Sequence, residues 1–264
     1  MSALVAVVAI VMQLMGCGGP KDYKAAMHDP FLYCKTVKKL NDVVLENNFP
    51  PMIATRNYAY ANIAAYELIA AGDPSRYQSL SGQIKHLPAM PKPADTSIVD
   101  FPLAAMLAFT KVGNAVTFPE GSLMGYYDEL LEMADSLGMP SAVQEATRAY
   151  ADTISSAIMA WSKTDNYAQT RSSTRYTVNN DEGRWIPTPP MYAQAMEPHW
   201  MEIRTLVLDS ASVCKAHQPP PFNMRDTSGI YYKAAMEVKM IGDSLTDEQK
   251  HIAEFWDDNP FKMN

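Results

Sequence analysis

The sequence predicts an all-α protein: a helical bundle carrying a strap rich in proline and tryptophan. Three observations point there. Apolar residues recur at helical spacing over long stretches, proline, glycine and capping residues punctuate those stretches, and no alternating strand pattern of useful length occurs. The 264 residues suffice for one substantial core or two small ones. A hydrophobic content of 47% with 19% charged residues suits a globular chain, not a disordered one. The net charge of −7 argues against a nucleic-acid partner, which needs a basic footprint.

The chain opens on a targeting segment. Ala3 to Met12 is almost wholly apolar, yet short for a membrane span. It runs into Leu14-Met15-Gly16-Cys17, which resembles a bacterial lipobox. On this reading residues 1–16 are a lipoprotein signal peptide, and Cys17 is the lipid attachment site. Residues 17–28 form a polar tether, and residues 29–264 the helical domain. Lipid on Cys17 holds the domain at a membrane of the bacterial cell envelope without a spanning helix. An n-region without Lys or Arg departs from that pattern. Cys34 and Cys214 remain, expected as two separate buried thiols, with a bridge between them as the lesser alternative.

Asp29-Pro30 begins the first helix, since Asp accepts from first-turn amides and Pro suits the first helical position. Leu32, Val37, Leu40, Val43 and Val44 supply its stripe. Met52 to Ala71 is apolar nearly all round, with Gly72 as its stop, which places it centrally in the bundle. Its Tyr58, Tyr60 and Tyr66 need polar partners if buried. A loop follows with a short helix around Tyr77–Ile84. Ile98 to Val116 is the next apolar helix, ended by Phe118-Pro119. Ser122 caps Leu123–Leu137, whose Asp128, Glu129, Glu132 and Asp135 make a solvated face. Ala142–Ser162 carries Ala146, Tyr150, Ile154, Ile158 and Trp161 on one stripe. Ser228 starts Gly229–Ile241, which Gly242 ends. Thr246 and Gln249 form a capping box for Asp247–Asp257.

Between the helices, Thr164 to Glu182 is polar, and its Arg171 and Arg175 suit either an anion or a loop-to-loop ion pair. The strap spans GRWIPTPPMYAQAMEPHW, Gly183–Trp200, where Pro187, Pro189 and Pro190 forbid helix. Trp200–Leu206 reads as a short helical turn. None of the five histidines stands at ligand spacing to another, and neither H-E-x-x-H nor C-x-x-C occurs. His199 between Pro198 and Trp200 reads as hydrogen-bonded to backbone.

The strap and the residues C-terminal to it carry a resemblance. W-x-P-T-P-P from Trp185, Pro198-His199-Trp200, Gln218-Pro219-Pro220-Pro221-Phe222, Ser228 to Gly242 and T-x-E-Q-x-x-I-A-x-F-W from Thr246 occur in that order. With Pro50–Ile69 upstream, they resemble the vanadium-dependent haloperoxidase group of the type 2 phosphatidic acid phosphatase superfamily, in its secreted bacterial form. The resemblance covers most of the chain after about Asp29. Members bind vanadate or phosphate through a Lys followed by Arg-Pro, a P-S-G-H block and S-R-x-x-x-H, and none of these occurs here. The resemblance therefore implies the N-terminal helical half of such an enzyme, vanadium haloperoxidase-like or acid phosphatase-like. No catalytic, cofactor-binding or metal residue lies on this chain, and vanadate is expected only for the complete enzyme. Glu237, Lys239, Asp257 and Asp258 could contact the missing half, or stand as surface charge; an uncovered apolar face could also self-associate. The alternative is a helical surface lipoprotein that binds glycans or peptides, its aromatic residues serving as stacking platforms.

Overall fold

A computed structural model of the chain describes residues 22–189 and 191–257. The leader, Cys17, Pro190 and Asp258 lie outside the described residues. The described part is helical, with no strand, and falls into two compact units. The first comprises the chain up to Asn47, Pro51–Ser81 and Pro88–Ala160; the second comprises Asn48–Pro50, Gly82–Leu87 and the chain from Trp161 onward. Among the described residues no helix is long and apolar enough to cross a membrane.

In the first unit, the end of the expected tether is folded. Asp22 caps α1 (Tyr23–Met27), accepting from the Ala25 amide at 3.1 Å, and Met27 is buried. Its apolar side chain gains more from that burial than a solvated tether would offer. Helix α2 (Pro30–Glu46) starts as the sequence requires, with Asp29 accepting from Phe31 N at 2.9 Å and Pro30 in the first turn. Leu32, Thr36, Leu40, Val43 and Val44 form its buried stripe. Helix α3 (Pro51–Gly72) finds the expected tyrosine partners: Tyr58 donates to Asn41 at 2.7 Å, and Tyr66 to the Gln78 carbonyl at 3.0 Å.

The centre of this unit is α4 (Phe101–Val116), not α3. It packs against α2, α3 and α5 (Met124–Ser136), and every residue from Leu103 to Thr110 is buried. Ala104, Ala105, Ala108 and Gly113 keep it slim enough for that, whereas α3 still shows Thr55 and Asn62 toward solvent. The helix expected from Ile98 breaks in two. A 3-10 turn covers Thr96–Ile98, and α4 restarts at Phe101 because Pro102 disfavours helix before it and Asp100 caps Leu103 N at 3.0 Å. Asp100 is buried and fully used: its other oxygen meets His28 Nε2 at 2.9 Å, and its amide donates to Thr147 at 2.9 Å. Ser122 does not cap α5. Its hydroxyl donates to the Pro119 carbonyl instead, and Leu123 stands at the helix start without a side-chain cap.

The short helix expected at Tyr77–Ile84 is absent. Backbone from Gln78 to Leu80 bonds to α3 side chains, with Tyr66 on the Gln78 carbonyl and Glu67 on Leu80 N, so it cannot close helical bonds of its own. Helix α6 (Ser141–Ser162) buries Tyr150, Ile154 and Ile158, as its stripe predicts.

In the second unit the chain is mostly irregular between α7 (Tyr167–Thr170) and α8 (Ile230–Asp243), with 3-10 turns at Trp200–Glu202 and Ala211–Cys214. Trp161 Nε1 donates to the Lys85 carbonyl at 3.2 Å, and Lys85 N donates to Leu206 O at 2.9 Å. Helix α8 starts after Gly229, Ser228 having donated to Asp226, and runs through Gly242 to Asp243, so Gly242 does not stop it. Helix α9 (Asp247–Phe255) carries the expected capping box: Gln249 N donates to Thr246 Oγ1 at 3.2 Å, and Thr246 N to Gln249 Oε1 at 2.8 Å. Cys34 and Cys214 are free and exposed, not buried. Cys34 falls on the outer side of α2, between the inward Leu32 and Thr36, and Cys214 ends an exposed 3-10 turn.

Candidate functional site

Arg171, Arg175 and His199, singled out in the sequence, border one cleft in the second unit. A cleft of about 460 Å³ is bordered by Arg171, Thr174, Arg175, Tyr176, Glu197 and His199. Proline keeps the strap extended on one side, and Tyr176 fixes it by packing edge-on against Trp185, ring centres 5.5 Å apart, with its hydroxyl donating to the Trp185 carbonyl at 3.3 Å. Gly183 opens the strap with φ 79°, and a Cβ there would meet the Phe222 ring at 2.8 Å, so only glycine fits.

Arg171 and Arg175 separate in role. Arg171 forms a forked ion pair with Glu197, Nη1 donating to Oε1 at 2.7 Å and Nη2 to Oε2, and its guanidinium lies 4.5 Å from the Tyr167 ring centre. The hydrogen bonds to Glu197 raise the Arg171 pKa above its ordinary value. Glu197 holds this position with φ 50°, the left-handed region that non-glycine residues seldom adopt. The outcome is the loop-to-loop pair. Arg175 borders the same cleft and is exposed.

His199 is held at both ring nitrogens. Nε2 lies 2.8 Å from the Thr174 carbonyl, and Nδ1 lies 2.7 Å from Glu202 Oε1. Both partners only accept, so both contacts are hydrogen bonds together only when the ring carries two protons. The Thr174 carbonyl first, and the Glu202 carboxylate next, raise the His199 pKa above the usual histidine value. Sequence foresaw the backbone bond. It missed Glu202, although the i,i+3 spacing was legible, and it missed Glu197, which lies 26 positions from Arg171.

The cleft does not suit a vanadate or phosphate oxyanion. Such a group needs cations without internal partners, and vanadium needs a ring nitrogen with a free lone pair. Arg171 is already matched by Glu197, whose carboxylate would repel an oxyanion, and both ring nitrogens of His199 are already turned onto oxygens of Thr174 and Glu202. Among the described residues no group of three or more His, Cys, Asp and Glu could hold a metal ion. Asp128, Glu129, Glu132 and Asp135 of α5 are exposed, and Lys239 pairs with Asp243 within α8. No chemical step is therefore assigned to these residues.

No family model matches the chain, and no curated protein does. Among solved structures it is similar to one described as the first bacterial vanadium-dependent iodoperoxidase. The two share 35% identity with a TM-score of 0.80, over 88% of this chain and 56% of that one. This chain thus spans a little over half of that protein's length. Identity at that level, over a shared helical architecture, means that the chain belongs to the vanadium haloperoxidase-like superfamily.

Proposed function

We propose that this chain is the helical scaffold portion of a vanadium-dependent haloperoxidase-like or acid phosphatase-like enzyme, with the oxyanion-binding residues supplied by polypeptide outside these 264 residues. The observation that carries the reading is the likeness to the iodoperoxidase, reached over only 56% of that protein. Helices α8 and α9 add to it. Neither has a buried residue, and Phe255 and Trp256 at the end of α9 are 73% and 76% exposed. Amphipathic helices with uncovered apolar residues stand to gain from a covering partner. In this proposal those faces form the seam against the oxyanion-binding portion. On the lipobox-like Leu14 to Cys17, the enzyme is held at the bacterial envelope by lipid on Cys17.

The test is an iodide-oxidation assay with vanadate and hydrogen peroxide, paired with a phosphate-ester hydrolysis assay without vanadate. The 264-residue chain is expected to be inactive in both. Co-folding it with the remaining portion of the matched iodoperoxidase is expected to yield a complex with one of the two activities. Activity in the chain alone, or no association with that portion, refutes the proposal. Metabolic labelling with an alkyne fatty acid checks the anchor: Cys17→Ser should lose the label.

A further inference from the structure

A second cavity, wholly inside the first unit, has no part in that reading. It measures about 620 Å³, within the range of small-molecule pockets, and is bordered by Ala70, Ala71, Tyr77, Met90, Pro91 and Pro93 among others. Glu67, Ala70 and Ala71 lie on one face of α3, since residues three and four apart stack on a helix. The two alanines leave the space open. The returning loop closes it: Tyr66 holds the Gln78 carbonyl, and Tyr150 donates to the Pro91 carbonyl at 3.0 Å.

Among the described residues the one acid bordering this apolar space is Glu67, only 2% exposed. Its oxygens accept from Ser79 Oγ and Leu80 N, both at 2.7 Å, and neither donor is a cation. A carboxylate oxygen has two lone-pair sites, so each retains capacity after one bond. Burial first, and the Glu67 carboxylate second, raise the Tyr150 pKa. Lys92 also borders the cavity, but it is exposed, so water screens it. We infer that this cavity binds an organic ammonium ion with an apolar, aromatic-sized body, the ammonium against Glu67 and the body among Ala71, Tyr77, Met90 and Pro93.

Titration calorimetry at neutral pH with phenethylamine, 2-phenylethanol and 3-phenylpropionate tests it, because the three share a body and differ in charge. Phenethylamine should bind saturably and about tenfold more tightly than the alcohol, the scale of one hydrogen bond to a charged group, with the carboxylate weakest. Glu67→Gln should abolish the preference for the amine. Glu67 also pins the loop at Ser79 and Leu80, so that variant can fail to fold. Ala71→Phe is the second variant: Ala71 is partly exposed, and a phenyl group there occupies the cavity while Glu67, Ser79 and Leu80 keep their identities. It should remove phenethylamine binding while leaving the melting temperature near that of the parent. Equal affinities for amine and alcohol, no saturable amine binding, or unaltered binding in Ala71→Phe overturns the inference.

Discussion

The guanidinium of Arg204 lies 4.4 Å from the centre of the Trp161 ring, and its Nη2 donates to the Trp161 carbonyl at 3.2 Å. The same side chain reaches Thr164 Oγ1 at 2.6 Å through Nη1, while its backbone amide donates to Asp165 O at 2.9 Å. One planar cation thus closes the turn that ends α6. Lysine is a point charge and cannot stack and fork at once. Arg204→Lys is expected to cost about 1 kcal/mol of stability, the scale of a partly desolvated cation–π contact. Urea unfolding followed by tryptophan fluorescence measures it.

Gly72 reads in the sequence as a helix stop, but it is the last residue of α3, and a Cβ there would sit 2.6 Å from Cγ of Phe101. Those atoms are at the root of the Phe101 side chain, which also packs edge-on against Tyr150 at 6.1 Å, so it cannot swing aside without loss. Alanine favours helix over glycine by roughly 0.5–1 kcal/mol. Overpacking costs about 1–3 kcal/mol and is expected to win, so Gly72→Ala should lower the melting temperature. A rise would show that α3 and α4 can part.

His199 should titrate above its ordinary 6.5, because both of its ring bonds require the charged form. A raised folded pKa means that its contribution is fully present below pH 6.5 and is lost as pH rises through the folded value. Removing the carboxylate with Glu202→Gln should bring the pKa down toward 6.5, with the Thr174 bond retaining part of the shift. Proton NMR of the His199 ring in both forms gives the two values directly.

The uncovered residues of α9 should make the isolated chain associate. Ile252, Phe255 and Trp256 are all more than half exposed, and Phe255 and Trp256 pack edge-on at 5.3 Å. Light scattering of the purified chain is expected to show dimers or larger species, and Phe255→Ser with Trp256→Ser is expected to return a monomer. A monomeric parent would count against a seam at α9.

Legibility in the sequence followed distance along the chain. Asp29 with Pro30, and Thr246 with Gln249, act within three residues, and both caps form as read. The segment at 77–84 fails because its partner, Glu67, acts from thirteen positions before Leu80. The cleft was half legible: Arg171, Arg175 and His199 stood out by residue type, while Glu197 did not, although it decides that Arg171 is matched and unavailable to an anion. The two cysteines were misread because residue type suggests burial, and the face of the helix overrules it.

By itself the sequence determined most of the helices, the caps at Asp29 and Thr246 and the proline strap, since these depend on φ restriction, periodicity and bonds between near neighbours. It also carried the family, through blocks from Pro50 to Trp256, and the likeness to the iodoperoxidase supports that family. Tertiary structure alone decided that α4 and not α3 is central, that Glu67 sits beside an apolar cavity, and that Arg171 of the cleft is matched by Glu197. Those outcomes depend on which distant side chains meet, and pairwise burial and charge compensation have no signature in local spacing.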